Sequence, residues 1–480
     1  MIKVTFSAIC ALLVHLAVME QAVLAQSGSQ LSSPSAASLT DQADEAYRMG
    51  DYEAAERFAS QALQRNSRDD VALYLRASAR VERGGAEGDP ALVRAGISDS
   101  RDALKIEGNP DYYLPYLYGM SRLATVEQRP EHARAGVDVA DKALTMTGLT
   151  SEQTANFRFQ RSLLNLALDD RTAAIEDLKL AVGAKPDHLA AQVALCNLYA
   201  SQGATAEAEA QYARAAGVLS GEPLIFNNQG AYFQAQRRYD EAVTSFTRAL
   251  QADPEYVPAL TNRGFVRILQ RRYRDAEQDL TKSLEIDPQQ ATAFGLRGAA
   301  RLHINQASGA VQDYQTAATL NPDTPAAFYD LGFAQFFARD YNAASVSVDQ
   351  ALDVDPSIPF LAPWQYTSMV FSGKQDEAMQ KFSGLESKAA GERTWFDLLT
   401  LYLMGKIEEP ALRAAMTNEN ADDRRKQECE AHYFIGLRNA SRQQQAEARK
   451  HFEQALASDV QYLSAYRGAM YAIDQFPNAQ

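Results

Sequence analysis

The chain has 480 residues, 46% of them hydrophobic and 22% charged, with a net charge of −14. Such an excess of acid repels phosphate backbones, which argues against general nucleic-acid binding. Three cysteines are too few for a disulfide-stapled scaffold.

In chain order, Lys3 precedes an apolar run from Val4 to Val18, and Val23 and Ala25 supply small residues beyond it. This reads as a secretory signal over residues 1–25 with cleavage after Ala25. The run is short for a membrane span, which needs about 20 apolar residues. The mature protein is therefore expected in the periplasm or outside the cell, without stable membrane insertion. The alternative is an uncleaved anchor carrying a scaffold that faces the cytoplasm. No cysteine stands at the cleavage point to take a lipid, and Cys10 lies inside the apolar run. Residues 26–40, rich in Ser and Ala, are expected to form a flexible linker.

Residues 41–222 read as degenerate helix pairs. Ala55, Ala59 and Ala62 share one face of a second helix, and Ala103 marks the next. The step from Ala62 to Ala103 is 41 residues, seven more than the period seen downstream. The run Gly84-Gly85-Ala86-Glu87-Gly88-Asp89-Pro90 is expected to absorb the excess as a longer turn. Thr150 and Gln153 have the spacing of a capping box. The units from 155 (Ser162, Ala174, Leu178, Ala181, Pro186) and from 189 (Leu195, Cys196, Ala208, Tyr212, Ala215) approach a strict repeat.

Between 223 and 358 the repeat is regular. Pro254, Pro288, Pro322 and Pro356 are 34 residues apart, as are Gly230, Gly264, Gly298 and Gly332, and Ala242, Ala276, Ala310 and Ala344. A further position holds only small residues (Ala249, Ser283, Ala317, Ala351). A fixed period of this length means one supersecondary unit stacked many times. With Pro223 as position 1, a first helix over positions 1–14 and a second over 15–30 place Phe226, Gly230 and Phe233 on one face, and Tyr239, Ala242, Phe246 and Ala249 on another. Residues 359–474 continue as degenerate units, with Ala378 and Phe382 in frame and a clearer terminal unit at Gly436, Ala448, Phe452 and Ala455. Since repeats touch only their neighbours, a bridge between Cys196 and Cys429 is not expected.

The pattern Gly230, Tyr239, Ala242, Phe246, Ala249, Pro254 resembles the tetratricopeptide repeat. The resemblance implies an all-α, right-handed superhelical solenoid of about 11–12 helix pairs with a concave face for other proteins. A second resemblance rests on Trp395-Phe396-Asp397-Leu398-Leu399-Thr400-Leu401-Tyr402-Leu403-Met404-Gly405-Lys406-Ile407 and Cys429-Glu430-Ala431-His432-Tyr433-Phe434-Ile435-Gly436. These segments are similar to the end of bacterial periplasmic repeat proteins of the new lipoprotein I type, which implies an adaptor in the cell envelope. The chain departs from that type in lacking the lipid-anchor cysteine and in its greater length.

Three constellations stand out. Arg76, Arg161, Arg263 and Arg297 occupy position 7, and the same units carry Asp99, Asp177, Asp279 and Asp313 at position 23. Units with Leu195, Gln229 or Leu331 at position 7 have Gln211, Ser245 and Ser347 instead. Each Arg is expected to pair with the Asp of its own unit and pin the helix crossing; an arginine ladder for anions is the alternative. In the repeat family, positions 2, 5, 9, 12 and 13 face the concave side. Here these include Phe265, Ile268, Leu269, Tyr329, Phe333, Phe336, Phe337, Val370 and Phe371. They are expected to form either an exposed apolar groove for a peptide or a second copy, or a buried core beneath the C-terminal helices. Asn228 and Asn262 share position 6, where the resemblance implies a grip on an extended peptide backbone.

No pair among His132, His188, His303, His432 and His451 has metal-ligand spacing, and no phosphate-binding loop or nucleophile elbow occurs. Neither catalytic residues nor a cofactor are expected. The sequence points to a scaffold that binds proteins or peptides, with a homodimer among the expected assemblies. A dimeric envelope assembly factor and an enzyme with an unrecognised C-terminal site are the alternatives.

Overall fold

A computed structural model describes residues 36–416 and 420–473. The signal segment with Cys10 and the linker up to residue 35 lie outside them. Among the described residues there is no strand, and twelve helix pairs, interrupted after the tenth by the short helix Gly384–Ser387, are followed by a last helix, Ser464–Ile473. The chain is an all-α solenoid dividing into two compact units, one ending at Tyr232 and the other starting at Phe233. The division falls inside helix Pro223–Ala235.

In the second unit the repeat holds to the residue. First helices are Val257–Leu269, Ala291–His303 and Pro325–Phe337, and second helices are Tyr239–Ala252, Tyr273–Ile286, Ala307–Leu320 and Tyr341–Val354. Each second helix is closed by Asp253, Asp287, Asn321 or Asp355, with φ of −140, −129, −139 and −138°, the three aspartates being extended and Asn321 close to it at ψ 72°. A following proline ring drives its predecessor out of the helical region into this conformation. The periodic prolines thus end the helices through the residue before them. Gly264 allows the first helix to lie against the second: a Cβ there would sit 2.8 Å from Leu280 Cγ.

The turn between the two helices carries its own period. Asp169, Gly203, Arg237, Arg271, Asn305, Arg339 and Gly373 all adopt φ between 59 and 85°. After each, a backbone N–H reaches back five residues, as in Asp170 N to Asn165 O (2.9 Å) and Arg272 N to Arg267 O (2.7 Å). This closure satisfies a carbonyl that the helix end would leave unpaired. It offsets the roughly 1–2 kcal/mol cost of left-handed backbone at the five positions that are not glycine.

Two expectations for the N-terminal half are corrected. Helix Ala36–Arg48 begins inside the stretch taken for linker, with Leu39 and Ala43 buried. The glycine run is helical through Glu87, so the extra residues lengthen the pair (Asp70–Glu87 and Pro90–Ile106) more than its turn. Gly84 and Gly85 are packing residues. A Cβ on Gly84 would come within 2.7 Å of Val93 Cγ2, and one on Gly85 within 2.8 Å of Arg122 Nε. The turn itself is short: Gly88 adopts φ 68°, Asp89 accepts from Ala91 N and Leu92 N, and Pro90 opens the next helix. Thr150 and Gln153 form both bonds of a capping box at 3.0 Å.

Candidate binding surfaces

The position-7 arginines lie against the position-23 aspartates of their own units. Arg76 Nε and Nη2 donate to Asp99 at 2.8 and 2.7 Å. Arg161 donates to Asp177 at 2.9 and 2.5 Å, and Arg263 to Asp279 at 2.9 and 2.7 Å. Arg297 reaches Asp313 at 2.7 to 3.2 Å. Each aspartate also takes a second guanidinium: Arg80, Arg158, Arg267 and Arg301 lie 2.6 to 3.1 Å from Asp99, Asp177, Asp279 and Asp313 respectively. The aspartates are buried, so these arginines are committed to structure and form no ladder for anions. Arg263 and Arg297 further donate to Thr247 and Thr281 of the preceding second helix, at 3.0 and 3.4 Å. The clamp therefore ties successive pairs together as well as the two helices of one pair. Where the arginine and aspartate are missing, a neutral version replaces them: Ser347 Oγ donates to Gln335 Oε1 at 2.7 Å.

Of the two readings left open for the first-helix aromatics of the second unit, the buried core holds for Phe333, Phe336 and Phe337. Phe333, Phe336 and Phe337 are buried together with Trp364, Tyr433, Phe434 and Phe452. Phe333 and Trp364 centroids are 4.7 Å apart, and Trp364 packs on Tyr433 at 5.2 Å. Tyr329 and Phe371 are partly buried against the same cluster, while Val370 packs with Tyr366, Met369 and Leu401 in a neighbouring one. Ile268 packs beside Leu280 and Leu284. Phe265 is half-buried, and Leu269 is exposed. Phe333, Phe336 and Phe337 therefore do not present a free groove.

The last helix covers this face. Tyr471 stacks on Phe337 with centroids 5.2 Å apart and an interplanar angle of 7°, and its hydroxyl donates to Leu302 O at 2.9 Å. Gly468 lets the helix approach Tyr433, whose Oη would lie 2.4 Å from a Cβ. Arg271 and Asp459 pair at 3.2 and 3.3 Å, and Tyr273 donates to Gln461 at 3.1 Å. Burial raises the pKa of Asp330, on the covered helix, to about 6, with Arg467 of the covering helix acting against that rise.

Asn228 and Asn262 fall in different compact units. Both are half-buried, and the buried Nδ2 of Asn228 has no hydrogen-bond partner.

The first unit holds a partly open cavity of about 50 Å³ on its first helices. Tyr47 comes from Ala36–Arg48, and Tyr74, Ser78 and Glu82 come from Asp70–Glu87. Leu114, Pro115 and Tyr118 come from Tyr113–Glu127, and Glu152, Asn156, Phe159 and Gln160 from Ser151–Ala167. His188 caps Leu189–Ser201. Spacings of three and four residues on each helix turn these side chains to one side. Glu152 is exposed at the rim, whereas Glu82, Tyr118, Gln160 and His188 are buried. Ala191 N donates to His188 Nδ1 at 3.2 Å, so Nε2 carries the ring proton and donates to Asn156 Oδ1 at 2.9 Å. Burial, with Lys185 nearby, lowers the His188 pKa to about 4, so the ring is neutral. Tyr118 Oη lies 3.3 Å from Glu82 Oε2, and Arg122 lies 4.0 Å from the same carboxylate. Burial outweighs both and raises the Glu82 pKa to about 7. Gln160 is only 7% exposed, and its Oε1 accepts no hydrogen bond.

These pocket residues were passed over in the sequence, although Tyr74, Ser78, Glu82, Asn156 and Phe159 occupy positions 5, 9, 13, 2 and 5 of their units. An apolar criterion for an interface overlooks a polar one. Among the described residues no group of three or more His, Cys, Asp or Glu is placed to hold a metal ion, and no helix is long and apolar enough to cross a membrane.

Residues 233–302 match the family model for the tetratricopeptide repeat. No curated protein matches. Among solved structures, the chain is similar to MamA at 22% identity over 39% of this chain and 95% of that one, with a TM-score of 0.33. It is similar to pilF of Pseudomonas aeruginosa at 18% identity, over 48% and 99% of the two chains, with a TM-score of 0.38. It is also similar to YrrB, described as a TPR protein with an unusual peptide-binding site, at 21% identity over 38% and 95%, with a TM-score of 0.35.

Proposed function

We propose that the chain is an exported, non-enzymatic scaffold that binds a segment of another protein on the first-helix face of residues 36–232. The observation that carries this reading is the pocket: the first helices of four successive pairs, with the His188 cap of a fifth, turn polar and aromatic side chains toward one partly open cavity. The equivalent face of the second unit is occupied by the chain's own last helix. Preformed helices hold this surface rigid, so little ordering entropy is lost on binding. Export rests on the apolar N-terminal run, and an envelope setting on the resemblance of 395–407 and 429–436 to the new lipoprotein I type. Asn228, with its unpartnered amide, is a further contact for a peptide main chain.

The test is photo-cross-linking in the native host from a benzoylphenylalanine placed at Asn156, on the pocket wall, and at Glu176, exposed on a second helix. Discrete adducts from position 156 alone are expected. Identical adducts from both positions, or none from either, overturn the reading; an adduct of twice the chain's mass replaces a separate partner by a homodimer. A mature N-terminus at Gln26 is expected, and a retained Met1 refutes export.

A further inference from the structure

The pocket's unpaired groups say what the bound segment must bring. Gln160 Oε1 is a buried acceptor without a donor. Such a group costs about 1–3 kcal/mol unless a partner arrives. His188 Nε2 donates to Asn156 and Arg122 Nη2 to Tyr118, and neither reaches this oxygen; Arg122 Nε is a second buried group without a partner. Beside Gln160 the lining supplies the Glu82 carboxyl group, the Tyr47 and Tyr74 phenols, and Phe159. A ligand that donates a hydrogen bond would satisfy Gln160, and aromatic walls with a carboxylate favour a cation. The cavity has room for about four water-sized groups at roughly 10–15 Å³ each, enough for an ammonium and its last methylenes. Leu114 and Pro115 offer apolar surface to an aliphatic stem.

We infer that this pocket takes the ammonium group of a lysine side chain on the bound segment, with Gln160 Oε1 and the Glu82 carboxylate as its acceptors. The inference rests on the scaffold reading and names the chemistry its partner presents. Glu82 faces Arg122 and Tyr118 from helix Tyr113–Glu127, Tyr74 and Ser78 from its own helix, Tyr47 from Ala36–Arg48, and Gln160, Glu152 and His188 beyond. Only the ionised carboxylate attracts the cation. With its pKa near 7, the ionised fraction rises about tenfold from pH 6 to pH 8, and affinity should follow. His188, with a pKa near 4, does not change charge in that window.

The experiment is saturation-transfer NMR on the full mature chain, with Nα-acetyl-lysine methylamide as probe and the norleucine analogue as its uncharged isostere. Saturation of the lysine ε-methylene protons is expected in the wild type. It should tighten about tenfold from pH 6 to pH 8 and weaken at least tenfold in both Glu82→Gln and Gln160→Met, each checked for unchanged helicity. Equal signals from norleucine, or unchanged lysine binding in both folded variants, overturn the inference. Putrescine is the second probe: binding tighter than that of the lysine amide assigns the pocket to a free amine and overturns the peptide reading. Cross-linked partners that persist in both variants refute the lysine site and leave the scaffold standing, whereas absence of any partner in wild type refutes the scaffold itself.

Discussion

Asp313 is the sharpest place to test how the repeats are held. Its side chain is 2% exposed and accepts from Arg297 at 2.7 to 3.2 Å and from Arg301 at 2.9 Å. Arg297 also reaches Thr281, and Arg301 reaches Glu277 at 3.1 and 3.2 Å, so the cluster joins two successive pairs. Asp313→Asn keeps the volume but removes the charge that two guanidiniums share. Breaking a buried ion pair on one side costs about 3–5 kcal/mol, because the remaining charge stays desolvated. Glu277 and Thr281 retain part of the compensation, which favours the lower end, about 3 kcal/mol. In a repeat array this loss falls on the affected unit and its neighbours. Amide exchange within 291–320 should then accelerate by roughly 150-fold, at about 1.4 kcal/mol per decade. The unit from 325 supplies the control, since Leu331, Gln335 and Ser347 stand where Arg297, Arg301 and Asp313 do. The triple change Arg297→Leu, Arg301→Gln, Asp313→Ser exchanges an ionic clamp for the neutral one and should stay within about 1 kcal/mol of wild type. Exchange in Asp313→Asn within threefold of wild type, or a triple variant as labile as the single one, would refute the clamp as described.

Phe337→Asp should unfold the C-terminal helices, with a loss of more than about 4 kcal/mol from deleting a buried ring and burying a carboxylate; limited proteolysis reads this, and an intact, equally resistant chain contradicts the core placement. Glu82 binds its proton more tightly folded than unfolded, with a pKa near 7 against an ordinary 4.5. Its stabilising contribution is complete below about pH 4.5 and is lost as pH rises through 7, so the urea midpoint of Glu82→Gln should gain on wild type between pH 5 and pH 8.5 by the equivalent of about 2–3 kcal/mol. Burial pushes the Cys196 thiol up to about 12 and Cys429 up to about 11, so a thiol-reactive disulfide should label neither in the native chain and both after denaturation. Gly436→Ala should destabilise the terminal pair by about 1–3 kcal/mol, measured by thermal unfolding, because the new Cβ would sit 2.5 Å from the Phe452 ring.

What the sequence disclosed and what it hid divide by the range of the contacts involved. A 34-residue period records what each unit does with itself and its neighbours: the glycine against Leu280, the proline that extends Asp287, the arginine on Asp279. Such contacts recur, so comparing units exposes them, and the pairing of positions 7 and 23 followed from their joint presence or absence. The second guanidinium on each aspartate escaped because Asn165 stands at position 11 of one of the four units, with Arg158 reaching in from position 4. The left-handed turn residue escaped because arginine fills three of its seven positions and glycine only two. Tyr471 on Leu302 is a different kind of contact, made once and 169 residues apart in the chain. It leaves no periodic trace, so aromatics at Phe333 and Phe337 look the same whether a partner or the chain's own last helix covers them. The polar pocket is again a single event, assembled from unlike residues at like positions. Repetition therefore reveals the scaffold, whereas sites are written where the repeats differ, and the positions to inspect are the inner ones at which one unit keeps Glu82 or Gln160 and its neighbours do not.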